Sequence, residues 1–343
     1  MAGRIEHIDS IRALAVLLMV MVHAAATWGP PSSTQPSALV YAVSGLGGLA
    51  APLFVTVFGW GCFRSSTTGS QRVKRAVFFI LAQTAINISA PHLFEVFSPG
   101  VLTLFGLLIL TQPLWLDPMT RAPQRSNAVF FTALTGVMMV TLLFSSIQGP
   151  STWDARNETN SMLQWIKHAL FSGTYPLFPW VIFATLGAFI SSQGDDNKTF
   201  PQTNYALSMV FAGCLVCAFS FAYAAHHGVQ WAAPTGPALL TFFPANTLFL
   251  VAAMTGVSLL WLLAQHISMN VLNPLGQRSL SVYLIHFIPI GLFHGLNESY
   301  AFTMSQSMMM VLAYTSVWLP FAHAWSRLAP RMDVEHALRF LTK

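Results

Sequence analysis

Ten mainly apolar stretches of 17 to 28 residues, separated by short polar links, constrain this chain more than any other feature. A bilayer core about 30 Å thick takes about 20 apolar residues per helical crossing. Backbone polar groups in lipid must be satisfied within the segment, which makes each stretch a helix. The stretches run near residues 11–28, 39–63, 73–91, 100–116, 128–147, 174–192, 205–226, 238–265, 279–296 and 302–325. Charged residues make up 8% of the chain, against about 25% in a typical globular protein, and mean hydropathy is +0.58. Such a chain cannot cover a water-facing surface, which excludes a soluble enzyme, a nucleic-acid binder and a disordered scaffold. The expectation is an all-α polytopic membrane protein of about ten transmembrane helices, with residues 1–343 as one domain. Cys62, Cys214 and Cys217 supply no disulfide framework, and the C-x-x-C at 214–217 lacks the βαβ setting of a redox motif.

Lys and Arg are retained on the cytoplasmic side of a membrane. With the N-terminus inside, fourteen of the sixteen fall on the inner side: Arg4, Arg12, Arg64, Arg72, Lys74, Arg75, Arg121, Arg125, Lys198, Arg278, Arg327, Arg331, Arg339 and Lys343. Arg156 and Lys167 fall outside. Both termini are therefore expected in the cytoplasm of a cell (inner or plasma) membrane protein, and the basic balance calls for no nucleic acid. The 327–343 tail carries a short amphipathic segment, Met332–Leu341, of the kind that lies at a membrane interface. Residues 4–26 also show the charged, apolar and small-residue regions of a secretory signal, although Glu6 and Asp9 in the charged part and the loss of one crossing argue against cleavage.

Ionisable groups inside a span are expensive and mark candidate functional sites. His23 lies eleven residues after Arg12, about 16 Å along a helix and on the same face, since eleven steps of about 100° make three turns and about 20°. Asp9, three residues before Arg12, can orient that guanidinium from the same face. Arg72 and Arg75 share a face at the start of the third span, where two guanidiniums suit phosphate groups. Tyr283 and His286 share a face in the ninth. Each has a plainer reading: interhelical hydrogen bonding for His23, Tyr283 and His286, and membrane anchoring for the arginines. Glu95 with nearby His92, the pair His226-His227, and His294 sit near outer helix ends, without the further ligands that a metal site would need. The glycines at 45, 47, 48, 59 and 61 point to close helix packing in the second span.

Ile8-Asp9-Ser10-Ile11-Arg12, with ten residues between Arg12 and His23, resembles the opening signature of the membrane acyltransferase-3 family. Arg72-x-x-Arg75 resembles its second motif, and Tyr283-Leu284-Ile285-His286 its late Tyr-x-x-His stretch. The segment Tyr175-Pro176-Leu177-Phe178-Pro179-Trp180, with Phe183 and Gly187, is more similar to the heparan-glucosaminide N-acetyltransferase branch of the wider transmembrane acyltransferase superfamily. That branch generally has Asn where His23 stands and a histidine in the following loop, whereas Trp28–Ala38 has none, and Ala13 stands where these families usually have Gly.

The resemblance implies transfer of an acyl group, most often acetyl, from cytoplasmic acyl-CoA as co-substrate to a carbohydrate or lipid-linked acceptor on the outer side, with no metal. Arg12, Arg72, Arg75 and Arg278 would hold the phosphates of acetyl-CoA, with Tyr283 and His286 placed along its path. His23 would act as general base, its ordinary pKa near 6.5 suiting proton transfer at neutral pH, or would itself carry the acyl group. Glu95 would orient the imidazole by triad logic. The competing class is a transporter or flippase with His23 and His286 as proton-relay groups. The acceptor, O- against N-acylation, acyl length and homo-oligomerisation stay open.

Overall fold

The computed structural model describes residues 5–29, 38–193, 199–267 and 269–342, with the backbone alone for 38–42. Arg4, Lys198 and Lys343 of the expected inner set, and residues 30–37 of the first link, lie outside the described residues. The chain is all-α and membrane-like. Its principal helices are α1 (Glu6–Trp28), α2 (Ala38–Phe63), α3 (Gly69–Ser89), α4 (Val101–Leu110), α5 (Ser126–Leu143), α6 (Leu177–Gln193), α7 (Asn204–His227), α8 (Thr247–His266), α9 (Ser279–Ile285), α10 (Phe287–Leu292), α11 (Met304–Leu328) and α12 (Val334–Leu341).

Every expected span coincides with helix, but not every one is a single uninterrupted apolar helix. Among the described residues, six helical segments are long and apolar enough to cross a membrane, or seven if the bent pair Met162–Ser172 and Leu177–Gln193 is one span. The expected span at 100–116 is helical without interruption only to Leu110, because Pro113 has no N–H to offer the carbonyl of Ile109. The expected span at 238–265 begins as helix only at Thr247. Before it, Leu240–Thr241 pairs in parallel with Ala232–Ala233, and Asn246 then caps α8 by accepting from Phe249 N–H at 2.9 Å. The span at 279–296 breaks at His286, where Pro289 cannot donate to the carbonyl of Ile285. At the same break the carbonyl of His286 accepts from Tyr314 Oη–H.

By its internal contacts the chain divides into two units. The first comprises residues Met1–Phe54, Ala85–Val96 and Ile267–Lys343. Here α1 is buried on nearly every side, as its near-continuous apolar sequence requires. It packs against α11, α9 and the turn Asn273–Gln277. Gly276 permits that approach, since a Cβ there would land on the carbonyl of Asp9. Trp28 closes the far end of α1, donating from Nε1 to Phe293 O at 2.8 Å.

The second unit comprises Val55–Thr84 and Phe97–His266. Two reciprocal glycines knit its core: Gly59 of α2 lies on the carbonyl of Ala184, and Gly187 of α6 on that of Thr56. Phe58 and Phe105 stack beside them at 4.1 Å, and Phe130 stacks on Phe189 at 4.6 Å. Arg156, 1% exposed, staples the 148–173 region by donating to Gly173 O at 2.7 Å and Gln148 O at 2.6 Å. Burial pulls its guanidinium down to about 10. In contrast, α5 and α7 bury little of their length, only 17% of their most apolar windows. Phe211 and Phe219 on α7 are 67% and 73% exposed, which is the side-chain chemistry of a lipid-facing surface.

Candidate functional site

The first unit brings three of the sequence-selected residues together. His23 on α1 and His286 at the α9–α10 break are joined by a hydrogen bond of 2.9 Å between His23 Nδ1 and His286 Nε2. Tyr283, one turn before His286, has its ring 6.2 Å from that of His23. Phe287 lies 4.6 Å from His23 on another side, and Phe94 meets it edge-on at 6.4 Å. His286 is fully buried and His23 is 8% exposed.

The protonation pattern of this pair follows from its partners. His286 Nδ1 faces the carbonyl of Val282 at 3.1 Å. A carbonyl only accepts, so Nδ1 carries the proton and Nε2 of the neutral ring is left as acceptor. The hydrogen bond at His286 Nε2 must then be donated by His23 Nδ1. A neutral His23 with its proton on Nδ1 has a bare lone pair on Nε2, which has no hydrogen-bond partner among the described residues. The arrangement therefore leaves one imidazole nitrogen with a lone pair able to accept a proton, with the second histidine hydrogen-bonded to the other nitrogen.

Around this centre the polar groups continue toward residue 92. Thr27 donates to the carbonyl of His23 at 2.9 Å, which spends its proton. His92 Nε2 is consequently the donor in its 3.2 Å bond to Thr27 Oγ1, and the ring of His92 stacks on His294 at 4.8 Å. Burial and then the neighbouring His294 lower the pKa of His92. Glu95 stands exposed in the same segment and makes no hydrogen bond to His23 or His286 among the described residues. The atom that orients His23 is a histidine nitrogen, a partner that sequence spacing alone did not connect to it.

At the other end of α1, Arg12 Nη1 donates to Asp9 Oδ1 at 3.4 Å, with Asp9 nearly buried and Arg12 about one-third exposed. Arg278 is buried, with Asp333 opposite its Nε at 4.0 Å and Pro330 O accepting from Nη2 at 3.4 Å. In the second unit, Arg72 donates from Nε to Thr67 Oγ1 at 3.3 Å, and Thr67 donates to the buried Gln112 at 3.3 Å. Asp117 lies 4.0 Å from Arg72 and 3.1 Å from Arg121. Arg75 lies half-buried one turn further along α3. Sequence reasoning missed Thr67, Gln112 and Asp117 as the groups that aim Arg72, because two of them occur in links that read as plain loop. It also missed Asp333 and Glu335, acids whose partners lie about 55 residues earlier in the chain.

The match to known families agrees with this geometry. The acyltransferase-3 family model, described as an acyltransferase domain, matches residues 5–325, nearly the whole chain. No curated protein matches it. A helical membrane bundle with a buried histidine pair at its Arg–ten residues–His and Tyr-x-x-His positions, matched by that model almost end to end, belongs to the acyltransferase-3 family and is a membrane acyltransferase.

Proposed function

We propose that this protein transfers an acyl group, most simply acetyl, from cytoplasmic acyl-CoA to a hydroxyl or amine of a carbohydrate or lipid-linked acceptor on the outer side of the cell membrane. The observation that carries the reading is the ordered chain Val282 O, His286, His23, which leaves His23 Nε2 as the sole ring nitrogen of the pair with a free lone pair. In the proposed step, Nε2 takes the proton of the acceptor as its oxygen or nitrogen attacks the thioester carbon. The tetrahedral adduct then collapses, the C–S bond breaks, and the departing CoA sulfur receives the proton from the imidazolium. Direct transfer requires nothing further from His23, whereas an acyl-histidine route would need Nε2 as nucleophile.

Arg72 and Arg75 are proposed to hold donor phosphates, with Arg12 contributing at the start of α1. Arg72 supports this best, since Thr67 and Asp117 hold it in place while leaving it 23% exposed. Arg278, buried against Asp333, fits a structural assignment under α12 better than a phosphate contact. The cytoplasmic placement of both termini and the ten crossings are supported by the one-sided distribution of Lys and Arg, and the outer acceptor by the likeness to the family.

The test is free-thiol release from acetyl-CoA by the full chain in nanodiscs, with a crude envelope glycan or glycolipid extract as acceptor. Turnover that needs both extract and His23 is the expected result, and His23→Ala is expected to lose about 100-fold or more of kcat. Wild-type turnover in folded His23→Ala protein would overturn the general-base assignment. Unchanged acetyl-CoA affinity in a double Arg72→Ala, Arg75→Ala variant would remove the phosphate role.

A further inference from the structure

The C-terminal helix makes an unusual set of bonds to the short helix that carries Tyr283 and His286. Glu335 Oε1 accepts from the backbone N–H of Leu280 at 2.8 Å and of Ser281 at 3.3 Å. Its Oε2 accepts from the hydroxyl of Ser281. The same hydroxyl oxygen accepts in return from Val334 N–H at 2.8 Å. The first N–H groups of a helix have no partner inside it, and a carboxylate is the side chain best suited to them. Here that carboxylate is supplied from α12, more than fifty residues away in sequence. Asp333 adds to the junction by facing Arg278 and capping α12 through His336 N–H at 2.7 Å.

α9 is only seven residues long, and it ends at the break at His286. At 1.5 Å per residue, Ser281 lies about 7.5 Å along the axis from His286. A short helix held at one end behaves as a rigid lever, so a rotation at Ser281 appears as a displacement of the His286 ring. That ring must present Nε2 to His23 at 2.9 Å while keeping Nδ1 on Val282 O, and misplacement by about 1 Å can cost about 100-fold in rate. A binding energy spent on α12 alone would not need bonds into the first turn of α9. We propose that Glu335 is a positioning residue for the histidine pair: through Ser281 and the first turn of α9, the C-terminal helix sets the orientation of His286 and thereby the reactive nitrogen of His23. The proposal rests on the reading of His23 as base only for its catalytic consequence; the geometric consequence stands without it.

The experiment compares Glu335→Ala, Glu335→Gln and Ser281→Ala in the full chain in nanodiscs, with two readouts. The first is thiol release from acetyl-CoA per folded protein. Glu335→Ala and Ser281→Ala are expected to lose about tenfold or more of kcat, with the donor KM within about twofold. Glu335→Gln keeps an oxygen for both N–H groups and an amide for Ser281 Oγ, and is expected to retain activity within about threefold. The second readout is the 15N spectrum of histidine-labelled protein, in which the ring nitrogens of His23 and His286 should move in the Ala variants and stay in place in Glu335→Gln. Folded Ala variants with wild-type kcat and unmoved histidine signals would overturn the proposal. If wild type itself shows no turnover, the acyl-transfer reading fails while the spectra still decide the positioning role. If Glu335→Ala does not fold, Ser281→Ala, a loss of one oxygen, decides both readouts.

Discussion

Removing His286 isolates what the second histidine contributes. In His286→Ala, the Nδ1–H of His23 loses the acceptor it has among the described residues, in a pocket walled by Phe94, Phe287 and Tyr283. A buried donor left without a partner costs about 1–3 kcal/mol. Because the alternative tautomer, with the proton on Nε2, escapes part of that cost, the same energy measures the bias that keeps Nε2 bare. At 1.36 kcal/mol per factor of ten, the expected loss of kcat/KM is about 5- to 160-fold. His23→Ala removes the base itself and should cost about 100-fold or more. If the two rings act as one unit, His286→Ala should add almost nothing on top of His23→Ala, whereas independent roles would multiply. The assay is thiol release from acetyl-CoA in nanodiscs for wild type, both single variants and the double variant, each corrected for folded protein. Multiplicative losses, or a His286→Ala enzyme as fast as wild type, would refute the reasoning. His286→Gln, which can still offer a side-chain oxygen to His23, should recover part of the loss.

Other expectations follow from the packing and the charges. Gly187→Ala puts a Cβ onto the carbonyl of Thr56, a backbone atom that cannot turn aside, and should destabilise the protein by about 3 kcal/mol or more in a thermal-shift series; a variant as stable as wild type would show that α2 and α6 are not in that contact. Arg156→Met removes the charged donor from two buried carbonyls and should cost about 2 kcal/mol or more, read as a lowered Tm. Desolvation raises the carboxyl of Glu335 above the ordinary value of 4.5, even though Ser281 and Leu280 hydrogen-bond to it. The folded state thus holds this proton more tightly than the unfolded chain does, so the associated stability is complete below 4.5 and disappears as pH rises through the elevated folded pKa. Over that window Tm of wild type should decline relative to Glu335→Gln, and parallel curves would contradict the assignment.

The helical plan was legible because lipid imposes a length and a composition on each span, and those survive in a single sequence. His23, Tyr283 and His286 were legible for the same reason: a polar ring in an apolar run is conspicuous. What spacing could not supply is which ring meets which. Positions 23 and 286 share no periodicity, and only the packing of α1 on α9 shows that Nδ1 of one faces Nε2 of the other. The triad pattern suggested a carboxylate, and Glu95 was the one expected near the outer helix ends, yet the group hydrogen-bonded to His23 Nδ1 is the ring of His286. Breaks were missed where one proline, at 113 or 289, removes a donor without altering the apolar run. Glu335 was unreadable because its significance depends on N–H groups 54 and 55 residues away, and backbone donors leave no mark in a sequence.

The thinly buried α7 has a practical consequence. Its tightest seat on the rest of its unit is a stripe against α8, where Gly213 lies against the Thr255 hydroxyl. Lateral pressure from annular lipid is therefore expected to do for this helix what side-chain packing does for α1. Harsh detergents should release α7 first, giving early deuterium uptake over residues 204–227 while the histidine centre stays protected, and restoring lipid should reverse it. Uniform uptake across both regions would show that the packing of α7 needs no such support. Preparations judged intact by overall helicity could thus differ in this one element, and the history of solubilisation would become a variable of the enzyme.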